Sequence, residues 1–171
     1  RGKLICSVPQ NPRLPSDMRL IDFVLLGRNA HLGLTRWETN QDIKKAMAAM
    51  KLTDIDDLSE RNLGQISGGE LQRAMLAMAI TQESPVMLLD EPTSNLDLSH
   101  QSKVLNLLIK MHNEKRGITV MAIHDLTLAA HYSDRMILIS EGQIFADGKP
   151  SEVLTEHNIA ETYGADVIII P

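Results

Sequence analysis

The sequence is poor in cysteine, in basic residues and in long hydrophobic runs. Its one cysteine, Cys6, excludes an internal disulfide and any metal site made of several cysteines. The longest apolar run, residues 74–80, has seven residues, whereas a membrane-spanning helix needs about 20. The 17 basic residues are outnumbered by 22 acidic ones, so the chain lacks the cationic field that nucleic-acid binding requires. These absences favour a cytosolic protein that does not bind nucleic acid.

The 171 residues, 43% of them hydrophobic, are enough for one domain with a sizeable core. The first residues, however, read as the middle of such a domain. An apolar run at residues 4–8 is closed by Pro9 and Pro12, which predicts a core strand that enters a loop. No signal-peptide pattern precedes this run. We therefore expect the chain to begin inside a domain whose earlier part lies upstream.

Helical signals dominate the segment that follows. Residues 16–17 can cap a helix that stops at Gly27. Thr39 and Asp42 have the spacing of a capping box ahead of a second helix with one apolar face. The sequence therefore predicts a largely helical region at residues 11–82.

Three later runs predict strands of a sheet. They are short, apolar and rich in β-branched residues, and they lie at residues 86–89, 118–123 and 136–139. A helical pattern separates the first two, which together form a parallel βαβ unit. Because the runs are continuous rather than alternating, we expect strands that are buried on both faces. A turn at residues 140–143 predicts a hairpin with residues 144–146.

Two acidic residues, Asp90 and Glu91, directly follow the predicted strand at residues 86–89. In open α/β sheets, ligands bind at the carboxyl ends of the strands. One acid there can hold the Mg²⁺ of a bound nucleotide, and a second can activate the water that attacks the γ-phosphate. A surface turn that begins with two acids is the alternative interpretation.

A second motif combines a serine and two glycines at the start of a predicted helix. Ser67 and Glu70 have capping-box spacing, while Gly68 and Gly69 let the backbone approach an anion closely. The N-terminus of a helix offers unpaired N–H groups and the positive end of the helix dipole, which together suit a phosphate. An ordinary capped helix is the alternative.

Two further polar residues follow predicted strands. His124 comes after the strand at residues 118–123 and can donate a hydrogen bond to a phosphate oxygen. Gln10 comes after the strand at residues 4–8 and can reach a metal ion or a water molecule. Alone, each has little specificity, since a single histidine after a strand is more often structural.

In combination, these residues resemble the ATP-binding subunits of ABC transporters. Gln10 falls at the Q-loop glutamine, and residues 67–73 (SGGELQR) are similar to the signature motif. Residues 88–92 (LLDEP) resemble the Walker B motif with its catalytic glutamate, and residues 94–97 (SNLD) resemble the D-loop. His124 falls at the switch histidine. The motifs follow the family order with family-like spacing, and the resemblance covers essentially the whole chain.

The resemblance implies an α/β fold of the P-loop NTPase type, with a parallel-sheet core and an inserted α-helical signature subdomain. Residues 1–10 and 83–171 would form a partial ATPase core, and residues 11–82 the helical signature subdomain. The N-terminal part of the core would be missing.

The resemblance also implies a role for each motif, with ATP and Mg²⁺ as cofactors. Asp90 and Gln10 would serve the metal ion, Glu91 would be the general base, and His124 would sense the γ-phosphate. Ser67, Gly68 and Gly69 would close on ATP held by the opposite subunit of a homodimer. Glu70 and Asp97 would be further cofactor-binding residues.

A narrower resemblance concerns the cargo. Two segments resemble those of importers of iron-siderophore, haem or cobalamin chelates. They are residues 23–28 (FVLLGR) followed by His31, and residues 98–101 (LSHQ). The subgroup implies a cytoplasmic subunit that is held at the inner face of the membrane by a membrane-spanning permease. An extracytoplasmic solute-binding protein would act indirectly, and no nucleic acid would be a partner.

The phosphate-binding loop of the family, Gly-x₄-Gly-Lys-Ser/Thr, does not occur in these 171 residues. The nearest candidate, residues 142–150, has five intervening residues instead of four, and Pro150 stands where a hydroxyl should bind Mg²⁺. By comparison with the family, about 50–60 residues that include this loop would precede Arg1. We therefore expect this stretch alone to bind ATP weakly, to lack ATPase activity and to self-associate through uncovered sheet surface.

Two other functions stay open on the sequence alone. The chain could belong to an ABC ATPase that acts outside transport, although such proteins usually carry long coiled-coil insertions, and here only 56 residues separate Gln10 from Ser67. It could also be a degenerate fragment that serves as an interaction module. The intact Asp90, Glu91 and His124 argue against decay.

Overall fold

The computed structural model describes residues 2–10, 12–32, 37–115, 117–165 and 167–169. The chain forms two compact units, Arg1–Ala122 and Ile123–Pro171. The first unit contains β1 (Ile5–Val8), α1 (Leu20–Leu25), α2 (Asn40–Leu52), α3 (Gly68–Gln82), β2 (Val86–Asp90), α4 (Leu98–Lys115) and β3 (Ile118–Ala122). The second contains α5 (Leu126–Tyr132), β4 (Met136–Ser140), β5 (Gln143–Gly148), α6 (Pro150–Val153) and α7 (Glu156–Tyr163).

A three-stranded parallel sheet organises the first unit, in the order β1-β2-β3. The predicted βαβ unit is confirmed, with α4 as its crossover helix. Because all three strands run the same way, their carboxyl ends meet at one edge of the sheet. This first unit also holds helices of the region 11–82, and the autonomy of that region as a subdomain stays a prediction.

The two faces of this sheet differ, and the expectation that the strands are buried on both faces is wrong. Cys6 and Met87 lie side by side on a buried face, whereas Leu88, Ile118 and Val120 on the other face are 38%, 59% and 53% exposed. The helices that contact the sheet, α3 against β1 and α4 against β3, account for the buried face. A continuous apolar run indicates that both faces of a strand can be buried, but apolar side chains of β2 and β3 on the second face remain exposed.

The helix α2 begins as predicted, whereas α1 does not. Thr39 and Asp42 form the capping box of α2. The predicted cap of α1 at residues 16–17 is wrong, because its N-cap is Arg19 and no side chain caps it. Instead, the N–H of Leu20 donates to the distant carbonyl of Arg61 at 2.8 Å. A tertiary contact fixes this helix start, and local sequence patterns do not carry that information.

Gly27 does not end α1 as the sequence predicts, but lies where two helical segments pack closely. The helix ends at Leu25 and continues as a 3₁₀-helix over Leu26–Ala30, so Gly27 lies within helical structure. A Cβ atom on Gly27 would collide with the backbone carbonyl of Met78 in α3. The glycine is therefore required for close packing of two helical segments.

A buried ion-pair network joins α2, α3 and the 3₁₀-helix at Leu26–Ala30. Arg28 donates through Nε to Asp42 Oδ1 at 2.8 Å, and through Nη1 to the carbonyl of Thr81 at 3.0 Å and to Glu83 Oε2 at 2.9 Å. Hydrogen bonds from the backbone and hydroxyl of Thr39, and then from Arg28, lower the pKa of Asp42 to about 2. Each charged group of this network therefore has a partner of opposite sign, as burial of an ion pair requires.

The second unit is built on the predicted hairpin. Strands β4 and β5 pair antiparallel, with a register shift between Leu138 and Ile139. Met136, Leu138 and Val153 form a small apolar core between the hairpin and α6. Across the described residues, no helix is both long and apolar enough to cross a membrane.

Candidate functional site

The carboxyl ends of β1 and β2 bring three of the candidate residues to one edge of the sheet. Asp90 is the last residue of β2 and is exposed, and Glu91 follows it half-buried. Val8 pairs in register with Leu89, so Gln10 lies two residues beyond the same end of the neighbouring strand. The parallel topology thus carries Gln10 to the edge that also holds Asp90 and Glu91.

The backbone of Glu91 is held in an unusual conformation. Its φ angle is +46°, a value that non-glycine residues rarely adopt. The N–H of Glu91 donates to the carbonyl of Ala122 in β3 at 3.0 Å. The carbonyl of Glu91 accepts from Gln72 Nε2 at 3.2 Å, from Ser94 Oγ at 3.2 Å and from the Ser94 N–H at 3.3 Å. Such strain persists only where the surroundings over-determine it, and it concentrates at functional sites.

Ser67 caps α3 in the predicted capping box. Its Oγ accepts from the N–H of Glu70 at 3.3 Å, and Glu70 Oε2 accepts from the Ser67 N–H at 2.6 Å. The second bond is the main reason that the pKa of Glu70 is lowered. A hydrogen bond from the Ser67 side chain to the Glu70 carboxylate lowers the same pKa further. Ser67 therefore closes the start of α3 while its side chain stays exposed.

The two glycines of the motif face different surroundings. A Cβ atom on Gly68 would meet nothing within 4 Å, whereas one on Gly69 would lie 3.0 Å from the carbonyl oxygen of Asn95. Gly69 is thus required by packing within the chain, because its neighbour is rigid backbone. Gly68 stands at the open start of α3, where the first N–H groups of a helix have no helical partner. Of the two positions, Gly68 is the one open to an anion.

Asp97 lies at the start of α4 and is exposed. Its Oδ1 accepts from the backbone N–H of His100 at 2.9 Å, and the imidazole Nδ1 of His100 lies 2.9 Å from the same oxygen. These contacts, led by the bond from the His100 N–H, lower the pKa of Asp97. Within its own chain, Asp97 therefore holds the first turn of α4.

His124 belongs to the second unit, where it is exposed between the end of β3 and the start of α5. The next residue, Asp125, caps α5 by accepting from the N–H groups of Thr127 and Leu128 at 2.9 and 3.0 Å. The cap fixes the point at which the chain turns from strand to helix. His124 is therefore tethered between two regular elements.

The donor set at the sheet edge suits a magnesium ion that arrives with a nucleotide. No three histidine, cysteine or acidic side chains among the described residues form a metal cage. Mg²⁺ is commonly held by one or two carboxylates together with substrate phosphates and water, so a preformed cage is not needed. An exposed carboxylate at Asp90 with the amide of Gln10 nearby fits that mode of binding.

One contact at the site was not foreseen from the sequence. Gln72 is only 2% exposed, and its side chain joins α3 to the backbone of Glu91. A signal for it does exist, because Gln72 shares the buried face of α3 with Met75 and Ala79 at helical spacing. An amide on an otherwise apolar face requires a hydrogen-bond partner.

Comparison with known proteins assigns the family. The sequence profile of the ABC transporter family matches residues 1–94, more than half of the chain. The chain is 40% identical over 162 residues to the ferric enterobactin transport ATP-binding protein FepC of Escherichia coli K12, which covers 94% of this chain and 59% of FepC. The chain therefore belongs to the ABC transporter family.

Two solved structures share the fold. A metal-chelate type ABC transporter in an inward-facing conformation matches with a TM-score of 0.86 and 30% identity, over 94% of this chain and 64% of that one. A dimeric ATP-binding cassette, MJ0796 in a post-hydrolysis state with ADP and Pi, matches with a TM-score of 0.79 and 25% identity, over 88% and 64%. The predicted α/β fold of ABC ATPases is confirmed, and the chain spans about three fifths of FepC and of each of these two solved chains.

Proposed function

We propose that the whole protein is the ATP-binding subunit of an ABC importer. It would couple ATP hydrolysis to uptake of a metal chelate of the siderophore, haem or cobalamin type. The observation that carries this proposal is the direct link between α3 and the acidic end of β2, where the Gln72 amide donates to the carbonyl of Glu91. The resemblance to FepC and to the metal-chelate transporter supports the choice of cargo.

Four candidate residues have separate proposed roles in hydrolysis. Asp90 and Gln10 would hold the magnesium ion of MgATP, which would supply charge neutralisation on the phosphate oxygens. Glu91, held half-buried by three elements, accepts the proton of the attacking water as general base. His124 contacts the γ-phosphate by donating a hydrogen bond. Each role uses a group at or directly after the end of a strand.

The start of α3 serves a nucleotide that a second subunit holds. Ser67 donates its O–H to a phosphate oxygen, and the open backbone at Gly68 and the helix N-terminus favour the negative charge. Gly69 and Glu70 stabilise the start of this helix, and Asp97 holds the first turn of α4. The dimeric cassette among the structural relatives supports assembly as a homodimer.

The proposal includes the setting of the protein. A membrane-spanning permease would hold the homodimer at the cytoplasmic face of the membrane, and a solute-binding protein would deliver the chelate from the other side. The residues present contain no phosphate-binding loop, so we expect this stretch alone to bind MgATP weakly and to lack ATPase activity. A calorimetric titration that finds micromolar affinity would contradict that expectation.

Uptake by the reconstituted complex tests the function. The whole protein and its permease would be placed in proteoliposomes with MgATP on the side of the ATP-binding subunit. ATP-dependent accumulation of a ferric siderophore, of haem or of cobalamin is the expected result. Nucleotide hydrolysis without uptake of any of them would favour a non-transport ATPase. A failure to bind nucleotide would favour an interaction module.

A further inference from the structure

We propose that Gln72 is a positioning residue, which sets the backbone of the general base Glu91 from within the same subunit. The inference rests on the proposed role of Glu91. Gln72 lies in the second turn of α3, and its amide nitrogen donates to the Glu91 carbonyl at 3.2 Å. Helix α3 is thereby connected to the one residue at the end of β2 with a positive φ angle.

The location of the bond argues for positioning. The Glu91 carbonyl lies between the end of β2 and the turn at Ser94, and the opposite end of the same residue is tied to Ala122 in β3. With both ends fixed, the φ angle of +46° is retained, so the Cα–Cβ bond of Glu91 leaves the backbone in one direction. Without Gln72, the carbonyl keeps its bonds from Ser94 but loses its tie to α3.

The energetics of Gln72 argue against a purely stabilising role. Its side chain is almost fully buried, yet no described residue lies within hydrogen-bonding distance of its Oε1 atom. A buried polar atom without a partner costs stability, and the single bond to Glu91 offsets little of that cost. Methionine has a similar length and no such atom, so it would satisfy the packing of α3 at least as well. The amide is therefore explained by what it does to Glu91.

The test compares Gln72→Met with Met75→Leu in the whole protein bound to its permease. Met75 is buried one turn further along α3, and its replacement conserves volume. For Gln72→Met we expect kcat for ATP hydrolysis to fall about 10- to 100-fold, because a misplaced catalytic group costs that much. The KM for ATP and the Tm should be unchanged, since binding and packing do not use the amide. Met75→Leu should retain the parental kcat, KM and Tm.

A double-variant cycle separates this inference from the proposed function. If Glu91→Gln alone leaves hydrolysis near the parental rate, the general-base role fails, and the inference fails with it. If Glu91→Gln is inactive and Gln72→Met keeps the parental kcat, only the positioning role is overturned. The role is supported when Gln72→Met adds no further loss to Glu91→Gln, because both changes then act on the same step. If Gln72→Met and Gln72→Leu both lower the Tm, and if kcat falls in parallel with the Tm, Gln72 is a structural residue only.

Discussion

The first unit contains two polar regions that differ in how fully their polar groups are paired. One surrounds Arg28 and the other surrounds Glu91. The Arg28 guanidinium donates hydrogen bonds of 2.8 to 3.0 Å to Asp42, to the carbonyl of Thr81 and to Glu83, between packed helices. Around Glu91, the backbone has a positive φ angle and the neighbouring Gln72 keeps an unpaired oxygen. The first region is organised for stability, whereas the second retains strain and an unpaired polar atom at the proposed catalytic site.

The largest predicted effect is a loss of folding stability when the ion-pair network around Arg28 is disrupted. Asp42→Asn removes one of the two carboxylates that Arg28 meets and leaves Glu83 as the other, so the cost should approach the lower end of the roughly 3–5 kcal/mol that breaking a buried pair costs. Urea unfolding of the whole protein should register this loss of stability, while kcat of the molecules that stay folded should be nearly unchanged. Asp22→Asn, on the exposed pair with Arg19, is the matched control and should cost little. Equal losses for the two variants would contradict the difference between buried and exposed pairs.

The pH dependence of stability probes the same carboxylate with a smaller effect. The folded-state pKa of Asp42, about 2, lies below its ordinary value near 3.8. A lowered pKa means that the carboxylate stabilises the fold fully above the ordinary value, and that this stabilisation is lost as the pH falls towards 2. The parental protein should therefore lose its stability advantage over Asp42→Asn across this acid range. An advantage that stays constant down to pH 2 would show that the carboxylate is not responsible.

The glycine pair sharpens the comparison at the start of α3. Gly69→Ala should destabilise the fold by about 1–3 kcal/mol, because the new Cβ atom would press on the carbonyl of Asn95. Gly68→Ala has open space and should leave stability unchanged or slightly raised. Thermal unfolding of the two variants measures the difference. The packing explanation for Gly69 would be wrong if both variants unfolded at the same temperature.

The two capping boxes give the smallest difference in stability and a clear difference in function. Thr39→Ala and Ser67→Ala each remove one cap, and each should cost about 1 kcal/mol. Only Ser67→Ala should also slow ATP hydrolysis, since only Ser67 is proposed to contact a phosphate. Parallel measurements of urea unfolding and steady-state ATPase rate separate the two effects. A parental rate for Ser67→Ala would confine that serine to its cap.

Local patterns in the sequence were sufficient for part of this architecture. The capping boxes at Thr39 and Ser67 follow from side chains three residues apart, and the parallel βαβ unit follows from apolar runs around a helical pattern. The start of α1 at Arg19 depends instead on the distant segment that contains Arg61. Such long-range contacts leave no local periodicity, which explains the wrong helix cap at residues 16–17.

The candidate site likewise combines features that the sequence predicts with features that depend on tertiary packing. Parallel strands made the convergence of Gln10, Asp90 and Glu91 predictable, because strand ends share an edge. The bond from Gln72 and the packing of Gly69 against Asn95 depend on how α3 lies beside the loop after β2. A motif identifies which residues belong to a site, and the tertiary packing decides which of them hold the others in place.

The central claim, that Glu91 is the general base at the acidic edge of the sheet, is tested most directly by Glu91→Gln in the whole protein with its permease. MgATP affinity by calorimetry and the hydrolysis rate would be measured on the same preparation, with Glu114→Gln on the exposed end of α4 as control. The account predicts unchanged affinity and a rate that falls about 100-fold or more, because general-base catalysis is lost. A Glu91→Gln variant that hydrolyses ATP at nearly the parental rate would contradict it.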